Sequence, residues 1–365
     1  MQRILVIKLA DIGDVLTATP ALRALRATFP HARISLLTTP QCRGLVLRAG
    51  LVDEEYLFAK QRFDSPAGLA HPEAAAELAG VIRWLRQGRF DAALLLHHLT
   101  TGFGAAKYRA LLAATGAPVR AGFDNGRGDF LTHRVTDAGF GERHEVEYCA
   151  EVVALLGAPL DTGPLVFRLT DVDHAAAAGL LAPLDAAPAV AVHPGSGGFS
   201  PARRWPVERF GAVATTLAAA GARVVVLGGP EERALGQAVA AAAGKGTLDL
   251  TGRTSLSVLG AVLQRCRAFV GNDSGVTHIA AAVGTPVVAV FGPSNHRAWG
   301  PWTGGRSEAV VLRADLPCSP CVYRGKELGT PEGCPRRTCL ELVPPGLVAA
   351  EALRLAGLTP AHPGS

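Results

Sequence analysis

Asp273, Ser274, Thr277 and His278 fall in one short stretch, Gly271-Asn272-Asp273-Ser274-Gly275-Val276-Thr277-His278. A short apolar strand (268–270) leads into it, a helix starts within it, and a second buried strand (286–291) follows. A strand, a polar Gly-containing turn and a helix start together make an anion site. The first helical N–H groups lack an intrahelical partner, and the helix dipole adds about half a positive charge there. Asp273 can cap the helix or grip a sugar hydroxyl. His278 lies four residues after Ser274, so both can face the same way. The pattern suits the diphosphate of a nucleotide.

A second chemical position lies at the N-terminal turn, Lys8-Leu9-Ala10-Asp11-Ile12-Gly13-Asp14. Gly13 allows a tight turn after the first strand. Asp14 then stands at a helix start, where a carboxylate can take a proton from an attacking hydroxyl. The same carboxylate, or Asp11, can equally be a simple helix cap worth about 1 kcal/mol.

Three further turns supply candidate donors and acceptors. His193-Pro194-Gly195-Ser196-Gly197-Gly198 follows a strand, and Gly-rich turns of this kind present N–H groups to phosphate. It is neither a Walker loop nor a complete dinucleotide fingerprint. Arg203-Arg204-Trp205-Pro206 comes next; a guanidinium there can bridge two phosphates, or be a solvated charge beside a packed Trp. Gly228-Gly229-Pro230-Glu231-Glu232 ends another strand. One glutamate, Glu232 foremost, can hold ribose hydroxyls, or the pair can simply favour a first helical turn.

The elements that carry these turns alternate. Strands are expected at 3–8, 33–37 and 91–96, with helices at 15–28, 73–86, 104–114 and 145–156. Residues 157–188 are rich in Pro, Asp and Ala and read as a linker containing one short helical run (173–181). Strands at 189–192, 223–227 and 248–250 and helices at 207–220, 231–243 and 256–264 then restart the pattern. Near-continuous apolar strands between helices predict parallel sheets. The expectation is α/β: two doubly wound Rossmann-like domains facing a cleft, with ligands beyond the carboxyl ends of the strands. Their expected ranges are 1–165 and 185–343, with an irregular Cys-rich segment at 313–340 and a last helix, 344–358, crossing back to the first domain.

Composition excludes several classes. The 365 residues are 48% hydrophobic and 18% charged, which is globular rather than disordered. Net charge is +5 with no Lys/Arg block, so nucleic-acid binding is not expected. The mild excess suits anionic small molecules or the surface of an anionic membrane. Lys60, Arg62, Arg120 and Arg127 are candidates to meet an acidic acceptor, or are ordinary surface charge. No run reaches the roughly 18–20 apolar residues of a spanning helix, and no secretory signal is seen. A cytoplasmic protein is expected, with room for peripheral membrane contact.

Of seven cysteines, Cys42, Cys149 and Cys266 read as core thiols. Cys318-x2-Cys321-x12-Cys334-x4-Cys339 reads either as a zinc knot or as reduced structural thiols.

The segments IKLADIGDVLTATPALRAL, RRWPVERF, GGPEER and GNDSGVTHIAAAVGTPVVAVFGP, in this order, resemble the bacterial ADP-heptose–lipopolysaccharide heptosyltransferase family, heptosyltransferase II-like members in particular. The Cys-rich tail resembles theirs as well. The resemblance implies a GT-B fold and an inverting, metal-independent transfer needing no cofactor. It implies an ADP-heptose donor in the C-terminal domain and an inner-core sugar on lipid A in the N-terminal one. Carried over residue by residue, Asp14 would be the general base. Asp273, Ser274, Gly275, Val276, Thr277 and His278 would form the donor site. The turns described above add Gly13, Ser196, Gly197 and Glu232 as donor-site candidates, and Arg203 is the candidate to assist departure of ADP. The family has Lys where this chain has Arg203; the charge is kept and the donor geometry changes. The alternatives are a related GT-B transferase with another nucleotide sugar or acceptor, and a non-catalytic nucleotide-sugar-binding paralogue.

Overall fold

The structure is a computed structural model and describes residues 1–63, 72–184 and 187–359. Two compact units emerge, one of residues 1–166 with 325–327, the other of 167–324 with 328 onward. Helix 171–181, expected within a linker, belongs to the second unit, and the expected domain start at 185 lies outside the described residues.

The first unit is built on β1 (Arg3–Lys8), β2 (Arg33–Thr38), β3 (Glu54–Leu57), β4 (Ala92–Leu95), β5 (Val119–Asp124) and β6 (His133–Thr136). Their spatial order is β3-β2-β1-β4-β5-β6, and every pairing is parallel. The second unit repeats the plan with β7 (Ala189–His193), β8 (Arg223–Val226), β9 (Leu248–Asp249), β10 (Ala268–Asn272), β11 (Val287–Val290) and β12 (Ala309–Leu312). The order β12-β11-β10-β7-β8-β9 is the same winding, again all parallel. Both sheets therefore reverse direction beside their first strand, between β1 and β4 and between β7 and β10. Open α/β sheets bind ligands outside the strand ends at such a reversal. Lys8 to Asp14 leave β1 at one of these points; the 193–198 turn and the Asn272–His278 stretch flank the other.

The inner strands are apolar and buried, as both-face coverage demands. Ile4 to Ile7 and Leu94 to Leu96 are fully covered in the first unit, and Val190 to Val192 and Val287 to Val290 in the second.

The covering helices of the first unit are α1 (Ile12–Thr17), α2 (Thr19–Thr28), α3 (Pro72–Gly88), α4 (Gly102–Thr115) and α5 (Glu145–Ala154). The single helix expected at 15–28 is two. The break falls at Ala18, and Pro20 sits at the start of α2, where its missing N–H costs nothing.

The second unit carries α6 (Asp171–Leu181), α7 (Val207–Ala219), α8 (Arg233–Ala243), α9 (Leu256–Gln264), α10 (Gly275–Val283), α11 (His296–Trp299), α12 (Thr338–Glu341) and α13 (Pro345–Ala356). α6 packs on α9. The last helix corrects an expectation. Val348, Ala349, Ala352, Leu353 and Ala356 of α13 lie in the core of the second unit beside Phe210, Val213 and Val288. Its apolar stripe is used there, against α7, β10 and β11. A small two-stranded sheet, β13 (Val322–Arg324) with β14 (Glu327–Gly329), interrupts the segment expected to be irregular. No helix among the described residues is long and apolar enough to cross a membrane.

Candidate functional site

The second unit gathers most of the expected site residues around the end of β10. Five fully buried residues, Ala268 to Asn272, end the strand, and Ser274 stands in extended backbone as the cap of α10. Behind it Ile279, Ala280 and Ala281 are wholly covered, which anchors the helix by its apolar side. Asp273, Ser274, Thr277 and His278 are buried, whereas Gly275 and Val276 are half-buried at the helix start.

Asn272 staples the neighbouring turn. Its amide donates to the carbonyls of Pro194 and Gly195 at 3.0 and 2.9 Å, and its oxygen accepts the Trp205 N–H at 2.9 Å. The Trp205 indole N–H donates to the Leu340 carbonyl, so the Arg203–Trp205 turn is fastened on both sides. Arg203 is mostly buried and pairs with Asp273 at 3.2 Å while donating to the Ser196 carbonyl. It also lies over the Phe199 ring. Arg204 donates to Ser196 Oγ and to the Gly197 carbonyl. The 195–198 turn is thus held open by two guanidinium groups.

Glu232 is 3% exposed. It accepts from the Gly229 and Gly197 N–H groups and meets His193 Nε2 at 3.0 Å. Burial alone would raise its pKa; the His193 hydrogen bond and charge, with the two backbone N–H groups, outweigh that and bring it down to about 2. Glu232 was expected to hold ribose. In this structure its carboxylate braces the 195–198 turn. The other face of His193 meets Ser274 Oγ at 3.3 Å. Ser274 in turn lies 3.4 Å from Thr277 Oγ1, which donates to the Asn272 carbonyl at 2.5 Å. Sequence reasoning gave no role to His193 or Asn272. A buried strand-end His ahead of a Gly-rich turn was the available signal for the first.

In the first unit Asp14 is half-buried at the third position of α1, and its Oδ2 accepts the Asp11 N–H at 3.3 Å. Gly13 is buried beside it. Asp14 therefore contributes to the cap, which does not remove it from chemistry. Next to it runs a buried charge chain that sequence reasoning missed. Lys8 Nζ meets Glu145 Oε1 at 2.5 Å, Glu145 Oε2 meets His98 Nε2 at 3.0 Å, and His98 Nδ1 meets Asp137 Oδ2 at 3.0 Å. The His98 ring is surrounded by Phe123, Phe140 and Tyr148. Burial opposes the Lys8 charge, yet Glu145, and Asp14 at longer range, raise its pKa above the ordinary lysine value. Burial likewise opposes the His98 charge, and Glu145 and Asp137 lift it to about 9. Glu145 is held well below the usual carboxylate range because Lys8 and His98 outweigh its burial.

These shifts set a stability profile. The carboxylates Glu145 and Glu232, depressed from 4.5, contribute stability above that value and lose it as the pH falls. His98, raised from 6.5 to about 9, contributes fully below pH 6.5 and loses its share as the pH climbs through 9. Urea unfolding between pH 4 and 10 is expected to show greatest stability at pH 4.5–6.5, with a decline toward pH 9. A profile still rising from pH 7 to 9 would contradict a charged His98.

Two of the candidate acceptor contacts are committed to local structure. Arg120 donates to the Ala117 and Phe130 carbonyls, and Arg127 to the Leu99 carbonyl. Cys42, Cys149 and Cys266 are buried thiols pushed up by burial, Cys42 and Cys266 to about 12. Cys318, Cys321, Cys334 and Cys339 line one cavity of about 270 Å³, and the Arg337 N–H donates to Cys334 Sγ. Among the described residues no three His, Cys, Asp or Glu side chains are arranged to hold a metal ion.

Two parallel sheets of this winding place the chain in the GT-B class of α/β folds, which solved structures share. The fold of E. coli ADP-heptose LPS heptosyltransferase II superposes with a TM-score of 0.71 at 24% identity, covering 98% of each chain. The E. coli heptosyltransferase WaaC with ADP gives 0.70 at 21% identity, covering 97% of this chain and all of that one. Both are GT-B heptosyltransferase structures, and the present fold is GT-B. Lipopolysaccharide heptosyltransferase 2 of Salmonella typhimurium is 27% identical over 314 residues, 80% of this chain and 84% of that protein. Residues 79–330 match glycosyltransferase family 9 (heptosyltransferase), and the chain belongs to that family.

Proposed function

We propose that this glycosyltransferase moves heptose from ADP-heptose to an inner-core sugar of lipopolysaccharide, with inversion at the anomeric carbon and without a metal ion. The observation that carries the reading is the second unit's seat, a half-buried helix start beside a turn braced by Glu232, Asn272 and Arg203. Such a seat matches two phosphates in one strand-end crevice. Heptosyltransferase relatives across most of the chain support heptose as the sugar.

In the proposed reaction Asp14 removes the proton of the acceptor hydroxyl. The freed oxygen forms its bond to the anomeric carbon as the bond from that carbon to the ADP oxygen breaks, and ADP departs on the opposite face. The charge developing on ADP is met by the first N–H groups of α10 and by Arg203. Fixed donors of this kind contribute about 3–4 kcal/mol for a single group. Arg203 is already aimed along the turn by its bonds to Asp273 and Ser196. An acceptor anchored by lipid A places the reaction on the cytoplasmic face of the inner membrane.

Asp14→Asn tests the base. Transfer is expected to fall about 10²–10⁴-fold, while the Kd for ADP stays unchanged. A variant turning over at the wild-type rate would exclude Asp14. Arg203 favours one second reading, a different nucleotide sugar, because the family has Lys there. Competition of ADP-heptose with other nucleotide sugars in a thermal-shift series separates the two. Stoichiometric ADP binding with no transfer to any core acceptor would exclude the heptosyl transfer proposed here and leave the other-acceptor transferase and the non-catalytic paralogue.

A further inference from the structure

Arg203, which the proposed reaction sets against the departing diphosphate, is held by more than its ion pair with Asp273. Its guanidinium carbon lies 5.6 Å from the centre of the Phe199 ring. Phe199 stacks on Tyr323, with ring centres 6.1 Å apart and planes 13° apart. Tyr323 in turn meets Trp299 at 4.2 Å, tilted by 40°. Aromatic rings therefore run in series from α11 to Arg203. They join the turn after β7 to the helix after β11, and these two strands flank β10.

The middle ring stands on a strained backbone. Tyr323 has φ +60°, a left-handed conformation that a residue other than glycine adopts at a cost, where its surroundings enforce it. The loop after β11 does so from both sides of the residue. The Cys321 and Val322 N–H groups donate to the Pro293 carbonyl at 2.9 and 2.8 Å, and the Asn295 amide donates to the Tyr323 carbonyl at 3.1 Å. Glycine would take this bend freely and lose the ring. Phe199, the next ring, is 41% exposed, so burial contributes little to keeping it in place. Strain of this kind gathers at ligand clamps.

We propose that Phe199 and Tyr323 are positioning residues, a mount that fixes the Arg203 guanidinium for the charge developing on the departing diphosphate. Asp273 and the Ser196 carbonyl hold its terminal nitrogens along the turn. The Phe199 ring supplies a further hold on the flat group. A carboxylate partner offsets part of the positive charge, whereas an aromatic face attracts the cation and leaves that charge for the ligand. The mount acts through Arg203 and forms or breaks no covalent bond.

The inference rests on the reading of Arg203 as the group that meets ADP. Steady-state transfer from ADP-heptose to a core acceptor, with ADP titration alongside, tests both. Arg203→Met is expected to lower kcat about 10²–10³-fold, as loss of one fixed donor does. Phe199→Leu and Tyr323→Gly are each expected to lower kcat about tenfold, the size of a desolvated cation–π contact. KM for ADP-heptose and Kd for ADP are expected to stay at wild-type values, which also shows that the variants are folded. Tyr323→Phe keeps the stack and is expected to recover most of the wild-type kcat. Phe199→Leu introduced into Arg203→Met is expected to cost nothing further, because the ring acts only through the guanidinium. A full tenfold loss in that background would overturn the mount. So would wild-type kcat in both Phe199→Leu and Tyr323→Gly, or a loss of ADP affinity with kcat unchanged. Each of these results leaves the nucleotide-sugar reading standing. Wild-type turnover by Arg203→Met would instead remove the role given to Arg203, and the mount with it.

Discussion

Replacing Glu145 by Gln is expected to lower the unfolding free energy by about 3–5 kcal/mol, the usual effect of breaking a buried ion pair. Lys8 is 1% exposed and Glu145 2%, so neither group can turn to water when its partner changes. An amide cannot neutralise Lys8 on one side and His98 on the other. The loss is thus larger than for any surface pair, where about 0–1 kcal/mol is typical. The double variant Lys8→Met with Glu145→Leu is expected to regain much of it, since apolar replacements of both partners remove the uncompensated charge. Urea unfolding measures the change, and hydrogen exchange on β1 and β4 shows whether it falls in the first unit. A loss below about 1 kcal/mol would mean that the chain is open to water.

Gly195→Ala is expected to weaken ADP binding at least about tenfold, equivalent to one charged hydrogen bond lost. A methyl group at Gly195 would come 1.8 Å from Glu232 Oε1 and 2.1 Å from Cδ. A free glutamate would swing aside. This one is bound by His193, Gly229 and Gly197, so the methyl group expels the brace itself. Gly198→Ala is the matched control, with nothing within 4 Å of the added carbon. Equal ADP affinities for the two variants would show that the Glu232 brace does not shape the seat.

Much of this was written in local patterns. The buried strands of both sheets are long apolar runs, and the Gly-rich turns follow them directly, so the alternation and the anion seat could be read from residue types. The edge strands β3, β6 and β12 and the inner strand β5 could not, whereas the edge strand β9 could. β3 is Glu54-Glu55-Tyr56-Leu57 and β6 is His133-Arg134-Val135-Thr136. Both are short and polar, as edges exposed to water on one side tend to be. Pairings across long sequence distances were equally hidden. Glu145 opens a helix and looks like a dipole-favouring acid, and nothing nearby says that Lys8 waits for it. The bracing contact of Glu232 was hidden for the same reason. Its partner His193 lies on the neighbouring strand, and the contact exists only once β7 and β8 are side by side.

The parallel winding also governs how the chain must reach its fold. No two neighbouring strands in either large sheet are joined by a tight hairpin, so each pairing waits for a crossover to be completed. Ile4 pairs with Ala92, and Ala268 with Val190. Pairings between such distant residues slow folding, because loop entropy must be lost before contacts reward it. On a ribosome β1 has to remain partly uncovered until β4 has emerged. The same delay recurs between β7 and β10, so each apolar central strand is a surface for chaperones to shield during synthesis.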